Sequence, residues 1–144
     1  MYYIAFIVFI LDQISKTIVL RIMEHGESIP VLKNIFHLTY LQNTGIAFGL
    51  LLKYRFFIIA VSIVTILLII SYKNKIISSK KLSNIFLGFI LGGAVGNLVD
   101  RLRFGSVIDF LDFRIWPVFN IADSFICIGV GGIIICILFF SKKE

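Results

Sequence analysis

The run IADSFICIGVGGIIICILFF, Ile121 to Phe140, decides the class of this chain. From Ile126 to Phe140 every residue is Ile, Cys, Gly, Val, Leu or Phe. At about 1.5 Å per residue, such a stretch crosses the roughly 30 Å of hydrocarbon in a bilayer. Three more apolar stretches of comparable length stand at Met1 to Ile22, Phe56 to Tyr72 and Leu82 to Val99. Backbone polar groups in lipid must be satisfied within their own segment, so runs without turn signals predict helices and not barrel strands. The 144 residues are 59% hydrophobic with a mean hydropathy of +1.02, far from the composition of a soluble domain. The sequence therefore predicts an all-α membrane protein, a four-transmembrane-helix bundle forming one integral domain over residues 1–144 with no internal repeat or linker.

The first stretch has no Lys or Arg in Met1 to Phe9, is interrupted by Asp12 and Lys16, and is followed by no small-x-small cleavage site. It is expected to stay in the protein as a span and not to be removed as a signal peptide. The net charge of +6 is spread over the connections. Lys73, Lys75, Lys80 and Lys81 crowd the second connection, and Lys142 and Lys143 follow the last span. The density of this cluster predicts, by the positive-inside rule, that both termini are cytoplasmic, although Arg21, Lys33, Lys53, Arg55, Arg101, Arg103 and Arg114 lie on the other side. No basic stripe on a soluble domain exists to bind nucleic acid.

With that topology, residues 23–55 and 101–120 are extracytoplasmic. FHLTYLQNTGIAFGL, Phe36 to Leu50, alternates apolar residues at Phe36, Leu38 and Tyr40 and breaks at Asn43, Thr44 and Gly45. It predicts a short strand, a turn and a second strand on the membrane surface. Gly88, Gly92 and Gly96 form a GxxxGxxxG series expected to let a neighbouring helix approach closely; no strand precedes them, so they are not a nucleotide loop. Cys127 and Cys136, nine residues apart, point to opposite helix faces and cannot bridge each other.

Ionisable groups inside spans are costly and mark either internal pairs or functional sites. Asp12 and Lys16 occur in the first span, Asn97, Asp100 and Arg101 at the end of the third, and Asp123 at the start of the fourth. Asp100 and Asp123 each lie roughly 26 Å along their helices from the inner boundary, so the polar groups converge on the outer third. Each has a plainer account. Asp12 and Lys16, at i and i+4, can neutralise each other; Asp100 and Arg101 can be a solvated acid and base at a helix end; Asp123 can be a helix-start acid favoured by the dipole. Asp109 and Asp112 can be solvated loop acids.

Taken together, SVIDFLDF and FNIADSF set carboxylates among Val107, Ile108, Phe110, Ile121 and Phe125. Two carboxylates close together in a low dielectric cannot both ionise easily, so one keeps a proton while the other acts as a base. Such a pair can activate water and protonate a leaving amine. His25 and His37 have no metal-ligand spacing and no serine or cysteine has an evident base, so no competing set is offered.

At this point DQISK (Asp12 to Lys16), NTGIAF (Asn43 to Phe48), GGAVGNLVDR (Gly92 to Arg101), VIDF (Val107 to Phe110) and FNIADS (Phe119 to Ser124) resemble, in order and over essentially the whole chain, the lipoprotein signal peptidases. These are the bacterial signal peptidase II family of intramembrane aspartic proteases. The resemblance implies that Asp109 and Asp123 form the catalytic dyad, with Asp109, not Asp112, at the family's V-x-D-F position. It implies that Asn43 and Gly45 help hold substrate, that Asn97, Asp100, Arg101 and Asn120 shape or support the site, and that Asp12 and Lys16 are structural. The implied reaction removes the signal peptide of a prolipoprotein just before its diacylglyceryl-modified cysteine. It needs no metal or organic cofactor and is blocked by globomycin-type inhibitors at the dyad. The implied place is the bacterial cytoplasmic membrane, with the site near the outer face and lipid as a partner; the chain is expected to act as a monomer. Phe110 to Ala122 is shorter than in many relatives, so the wall beside the substrate is not carried over. A transporter or channel would also need intramembrane acids, but four spans in this length enclose little room for alternating access. A structural membrane subunit would tolerate loss of both Asp109 and Asp123.

Overall fold

A computed structural model describes residues 1–45, 51–72 and 80–140. Its elements run α1 (Tyr2–Ile22), β1 (Ser28–Leu32), β2 (Phe36–Asn43), α2 (Leu51–Tyr72), α3 (Lys80–Phe104), β3 (Val107–Asp112) and α4 (Ile121–Phe140). Among the described residues α1, α3 and α4 are long and apolar enough to cross a membrane, and Phe56–Ser71 of α2 is a shorter apolar helix. The four predicted apolar stretches are thus all helical. The expected lysine cluster at Lys73 and Lys75, with Lys142 and Lys143, lies outside the described residues, as does the second strand expected after Gly45.

α3 is the central helix, packed against α1, α4 and α2. Its glycines explain why. A Cβ on Gly88 would strike Ile4 and the Met1 carbonyl, one on Gly92 would lie 2.5 Å from the Ala5 carbonyl oxygen, and one on Gly96 would collide with the Asp12 carboxylate. The GxxxGxxxG face is therefore the α1 seam, where helices approach without intervening side chains. On α1 the buried residues are Ala5, Val8, Asp12, Lys16 and Val19, a stripe at spacings of three and four that carries two charges in line with the apolar contacts. The neighbouring Gly93 faces the start of α4 at Ala122, and Phe86 of α3 fits against Gly132 further along. Cys127 is exposed and Cys136 buried, as their opposite faces on α4 require.

The segments between the helices are more ordered than the sequence predicted. β1, β2 and β3 form one antiparallel sheet with β2 in the middle. Only β2 was expected; β3 was read as part of a connection. The register of β2 on β3 shifts between Leu38 and Leu41, a bulge that leaves consecutive Thr39 and Tyr40 both buried. Tyr40, Ile108 and Phe110 pack with Val19 and Met23 at the end of α1, which seats the sheet on the bundle. Burial of these apolar groups, at about 25 cal/mol per Å², is what holds the sheet to the membrane domain. β3 is buried at five of its six positions because its other face is covered as well.

After β3 the chain turns within a few residues. Arg114 takes a left-handed conformation, φ 65°, with its N–H on Asp112 Oδ1 at 2.8 Å. Phe119 then pairs back on Leu111, its carbonyl accepting the Leu111 N–H at 2.7 Å. This short return places Asn120, the residue before α4, beside the middle of β3.

Candidate functional site

Four elements bring polar side chains to one buried point. α4 begins at Ile121, and Asn120 caps it: its Oδ1 accepts the Asp123 N–H at 2.9 Å, an ordinary N-cap geometry. The same side chain turns its amide nitrogen outward from the helix, where it donates to Asp109 Oδ1 at 2.7 Å and to Asn97 Oδ1 at 3.2 Å. Asn97, on α3, donates in turn to Asp123 Oδ1 at 2.8 Å. One asparagine thus touches both Asp109 and the backbone of Asp123, and a second closes the circuit onto the Asp123 carboxylate.

β2 supplies the other wall. Leu41 lies opposite Asp109, and Asn43 opposite Val107, so Asn43 and Asp109 are diagonal neighbours on one sheet face. The Asn43 amide donates to Asp109 Oδ2 at 2.8 Å. Its carbonyl oxygen accepts the Gly45 N–H at 2.8 Å, and Gly45 has φ 76°, a conformation that favours glycine. Gly45 therefore acts on Asp109 through the orientation of Asn43.

Burial is the main force on Asp109, and with the nearby negative charge of Asp123 it raises that carboxyl to about 6. Hydrogen bonds from Asn43 and Asn120, and the charge of Lys16, pull the other way. Asp112 behaves differently. Burial works against its charge, but hydrogen bonds from Thr39 and from the backbone and guanidinium of Arg114 outweigh it and hold its carboxyl below the usual range. Asp112 sits three residues from Asp109 on one strand, so it faces the opposite side of the sheet and does not join the cluster.

Behind the aspartates lies a charged layer. Lys16 Nζ is 2.9 Å from Asp12 Oδ2 and 2.8 Å from Asp100 Oδ2, and donates to Asn97 Oδ1 at 2.9 Å. Asp12 accepts the Ala122 N–H at 3.0 Å and Asp100 the Ile108 N–H at 3.2 Å. Asp100 is 1% exposed, and α3 continues past it to Phe104. This corrects the picture of a solvated acid at a helix end: the ion pair with Lys16 offsets part of the cost of taking it out of water. The expected Asp12–Lys16 pair forms, but it is half of a triad. Arg101 reaches the Asn97 carbonyl at 3.4 Å and is attracted by Asp123, Asp100 and Asp109.

All ten residues singled out in the sequence are thus in one connected region. The sequence did not single out Gln13, whose amide bridges Asp12 and Asp100 at 3.1 Å each; a second polar residue beside Asp12 in an apolar span was the available signal. Asp123 also opens, with Ser124 and Cys127, onto an apolar cavity of about 730 Å³ walled by Phe113, Ile115, Trp116, Pro117, Val118 and Phe119. The short connection therefore builds an aromatic wall beside the acid. Among the described residues no three His, Cys, Asp or Glu side chains gather as metal ligands.

Comparison with known proteins gives a consistent picture. A family model described as signal peptidase (SPase) II matches residues 4–139. A lipoprotein signal peptidase of Halothermothrix orenii is 50% identical over 145 residues, covering 99% of this chain and 96% of the relative. One of Brevibacillus brevis is 42% identical, covering 99% and 97%. A solved bacterial membrane enzyme superposes with a TM-score of 0.84 at 31% identity, covering 99% of this chain and 92% of its own.

Proposed function

The chain belongs to the signal peptidase II family, and from that premise we propose that Asp109 and Asp123 are its catalytic dyad. The family consists of proteases that remove the signal peptide from prolipoproteins, and that is the activity of this chain. The observation that carries the assignment of the dyad is the Asn120 side chain, which bonds Asp109 with its amide and the Asp123 backbone with its carbonyl.

In the proposed reaction the ionised member of the pair takes a proton from water as the water oxygen bonds to the scissile carbonyl carbon. The protonated member gives its proton to the carbonyl oxygen. The tetrahedral adduct then collapses: as the C–N bond breaks, the leaving nitrogen takes the proton held by the first carboxyl and one hydroxyl of the adduct returns its proton to the second, which leaves the acid product and a dyad again carrying one proton. The pull of Asp109 to about 6 supports a pair that shares one proton close to neutrality. Asn97 and Asn120 fix the two carboxyls, while Asn43, held by Gly45, borders the side of Asp109 where substrate would lie.

The rest of the reading follows the membrane. All four helices span the cytoplasmic membrane, both termini are cytoplasmic, and the sheet lies at the outer face. The aromatic cavity beside Asp123 takes an apolar part of the substrate next to the scissile bond, while the acyl chains of the diacylglyceryl cysteine stay in lipid. The enzyme acts as a monomer without metal or cofactor, and globomycin-type inhibitors occupy the dyad. The test is turnover of a diacylglyceryl-modified precursor by purified enzyme in lipid. Asp109→Asn and Asp123→Asn are each expected to abolish cleavage, and wild-type turnover by either would refute the dyad.

A further inference from the structure

Lys16 is a buried cation, 2% exposed, in an apolar helix, and the proposed reaction gives it no step. Burying an ammonium costs several kcal/mol unless its three N–H groups are satisfied. Here each has a separate acceptor, and each acceptor leads to a different part of the dyad. Asp12 holds the Ala122 N–H, one residue before Asp123. Asp100 holds the Ile108 N–H, one residue before Asp109. Asn97, whose oxygen Lys16 engages, is left to present its N–H to the Asp123 carboxylate.

We propose that Lys16 is the positioning residue of the dyad: its ammonium fixes the strand that carries Asp109, the helix start that carries Asp123, and the donor orientation of Asn97. The inference rests on the dyad assignment made above. The orientation of Asn97 is the sharpest part. Its Oδ1 receives donors from both Lys16 and Asn120, so a flipped amide would set N–H against N–H and turn an oxygen toward the Asp123 carboxylate. The locked orientation always offers the Asp123 carboxylate an N–H.

Charge acts in the same direction. Lys16 meets Asp12 of α1 and Asn97 and Asp100 of α3, and its charge acts on Asp109 of β3; Gln13 of α1, Arg101 of α3, and Asn120 and Asp123 at the start of α4 are bonded to those partners. Two cations stand against Asp12, Asp100 and a dyad carrying one negative charge. Removing the Lys16 charge makes every negative state of the dyad harder to reach; removing the Asp12 charge makes it easier.

The experiment is the pH profile of kcat/KM for a diacylglyceryl-modified precursor peptide, with wild type, Lys16→Met, Asp12→Asn, Asp109→Asn and Asp123→Asn in lipid. Lys16→Met is expected to lose at least about tenfold in kcat with KM within about threefold, and its profile to move to higher pH by about one unit. Asp12→Asn is expected to move it to lower pH: an asparagine oxygen can still hold the Ala122 N–H, while the NH2 that replaces Oδ2 gives up the bonds from Lys16 and Gln13 and lowers kcat as well. A purely structural lysine would reduce the amount of folded enzyme and leave the profile of the remainder in place. Profiles of both variants superimposing on wild type, with Asp109→Asn and Asp123→Asn inactive, overturn the inference while leaving the dyad intact. Activity in Asp109→Asn would instead remove the dyad and the inference with it. Should Lys16→Met not fold, the direction of the Asp12→Asn shift decides alone.

Discussion

Asn120 does two jobs with one amide, and Asn120→Asp separates them. The substituted side chain keeps an oxygen to accept the Asp123 N–H now held at 2.9 Å, so the cap on α4 survives. It replaces the donor that faces Asp109 Oδ1 at 2.7 Å with a second carboxyl oxygen. Two carboxylate charges centred about 4 Å apart repel by about 4 kcal/mol at an effective dielectric of 20, equivalent to about 3 pH units. The new carboxyl is the stronger acid beside an Asp109 that holds its proton to about 6, so it ionises first and the repulsion then raises Asp109 further. While protonated the new carboxyl is an O–H donor and can stand in for the amide; once ionised it cannot. The expected result is a pH profile displaced from that of wild type, because Asp109 then faces a charge where it had a donor, by up to about the same 3 units. Asn120→Ala, losing cap and donor together, is expected to be inactive at every pH and less stable by about 1 kcal/mol from the cap alone. The assay is precursor cleavage across pH 5 to 8.5, with thermal unfolding at pH 8 to check that the cap is retained. A profile of Asn120→Asp superimposing on that of wild type would show that the Asn120 amide is not needed by Asp109.

Two further outcomes follow from the packing. Asp112→Asn keeps an acceptor for Thr39 and loses an ion pair to Arg114, whose side chain is 47% exposed; kcat/KM is expected within about threefold of wild type and stability within about 1 kcal/mol, and loss of cleavage would place the acid on the wrong side of the sheet. Gly93→Ala sets a Cβ 2.5 Å from the Ala122 carbonyl oxygen and 2.8 Å from Ile126 Cγ1, and backbone cannot swing aside. Denaturation in detergent is expected to show a loss of about 1–3 kcal/mol, with a larger proportional loss of kcat because the displaced turn carries Asp123.

The helices were legible because a long apolar run must close its hydrogen bonds internally when it leaves water. The sheet was not legible to the same degree, for a physical reason. β3 is covered on both faces, so VIDFLD lacks the apolar and polar alternation that betrays a strand with one face in water. Its partner β2 lies far away in sequence, and β1, SIPVL, is fully exposed and carries a proline. β2 did announce itself through Phe36, Leu38 and Tyr40, but the bulge after Leu38 interrupts the pattern and hides which residues face the site.

The choice between Asp109 and Asp112 shows what the fold adds. Composition cannot separate two acids in VIDFLD, and only the resemblance to a known motif did so from sequence. The strand does it by parity: an odd separation sends the two side chains to opposite faces, one toward Asn43 and Asn120, the other toward Thr39 and Arg114. The same logic explains why the costly charges of α1 and α3 are tolerated. Asp12 and Asp100 are not capping their own helices or meeting water; Asp12 Oδ1, and the same Asp100 Oδ2 that meets Lys16, accept the N–H groups of Ala122 and Ile108, the backbone neighbours of Asp123 and Asp109. Apolar packing alone is non-directional and would leave a strand and a helix end free to shift by fractions of an ångström. Directional, charge-assisted bonds from the bundle interior restrain that freedom at the two positions that the proposed dyad would need held.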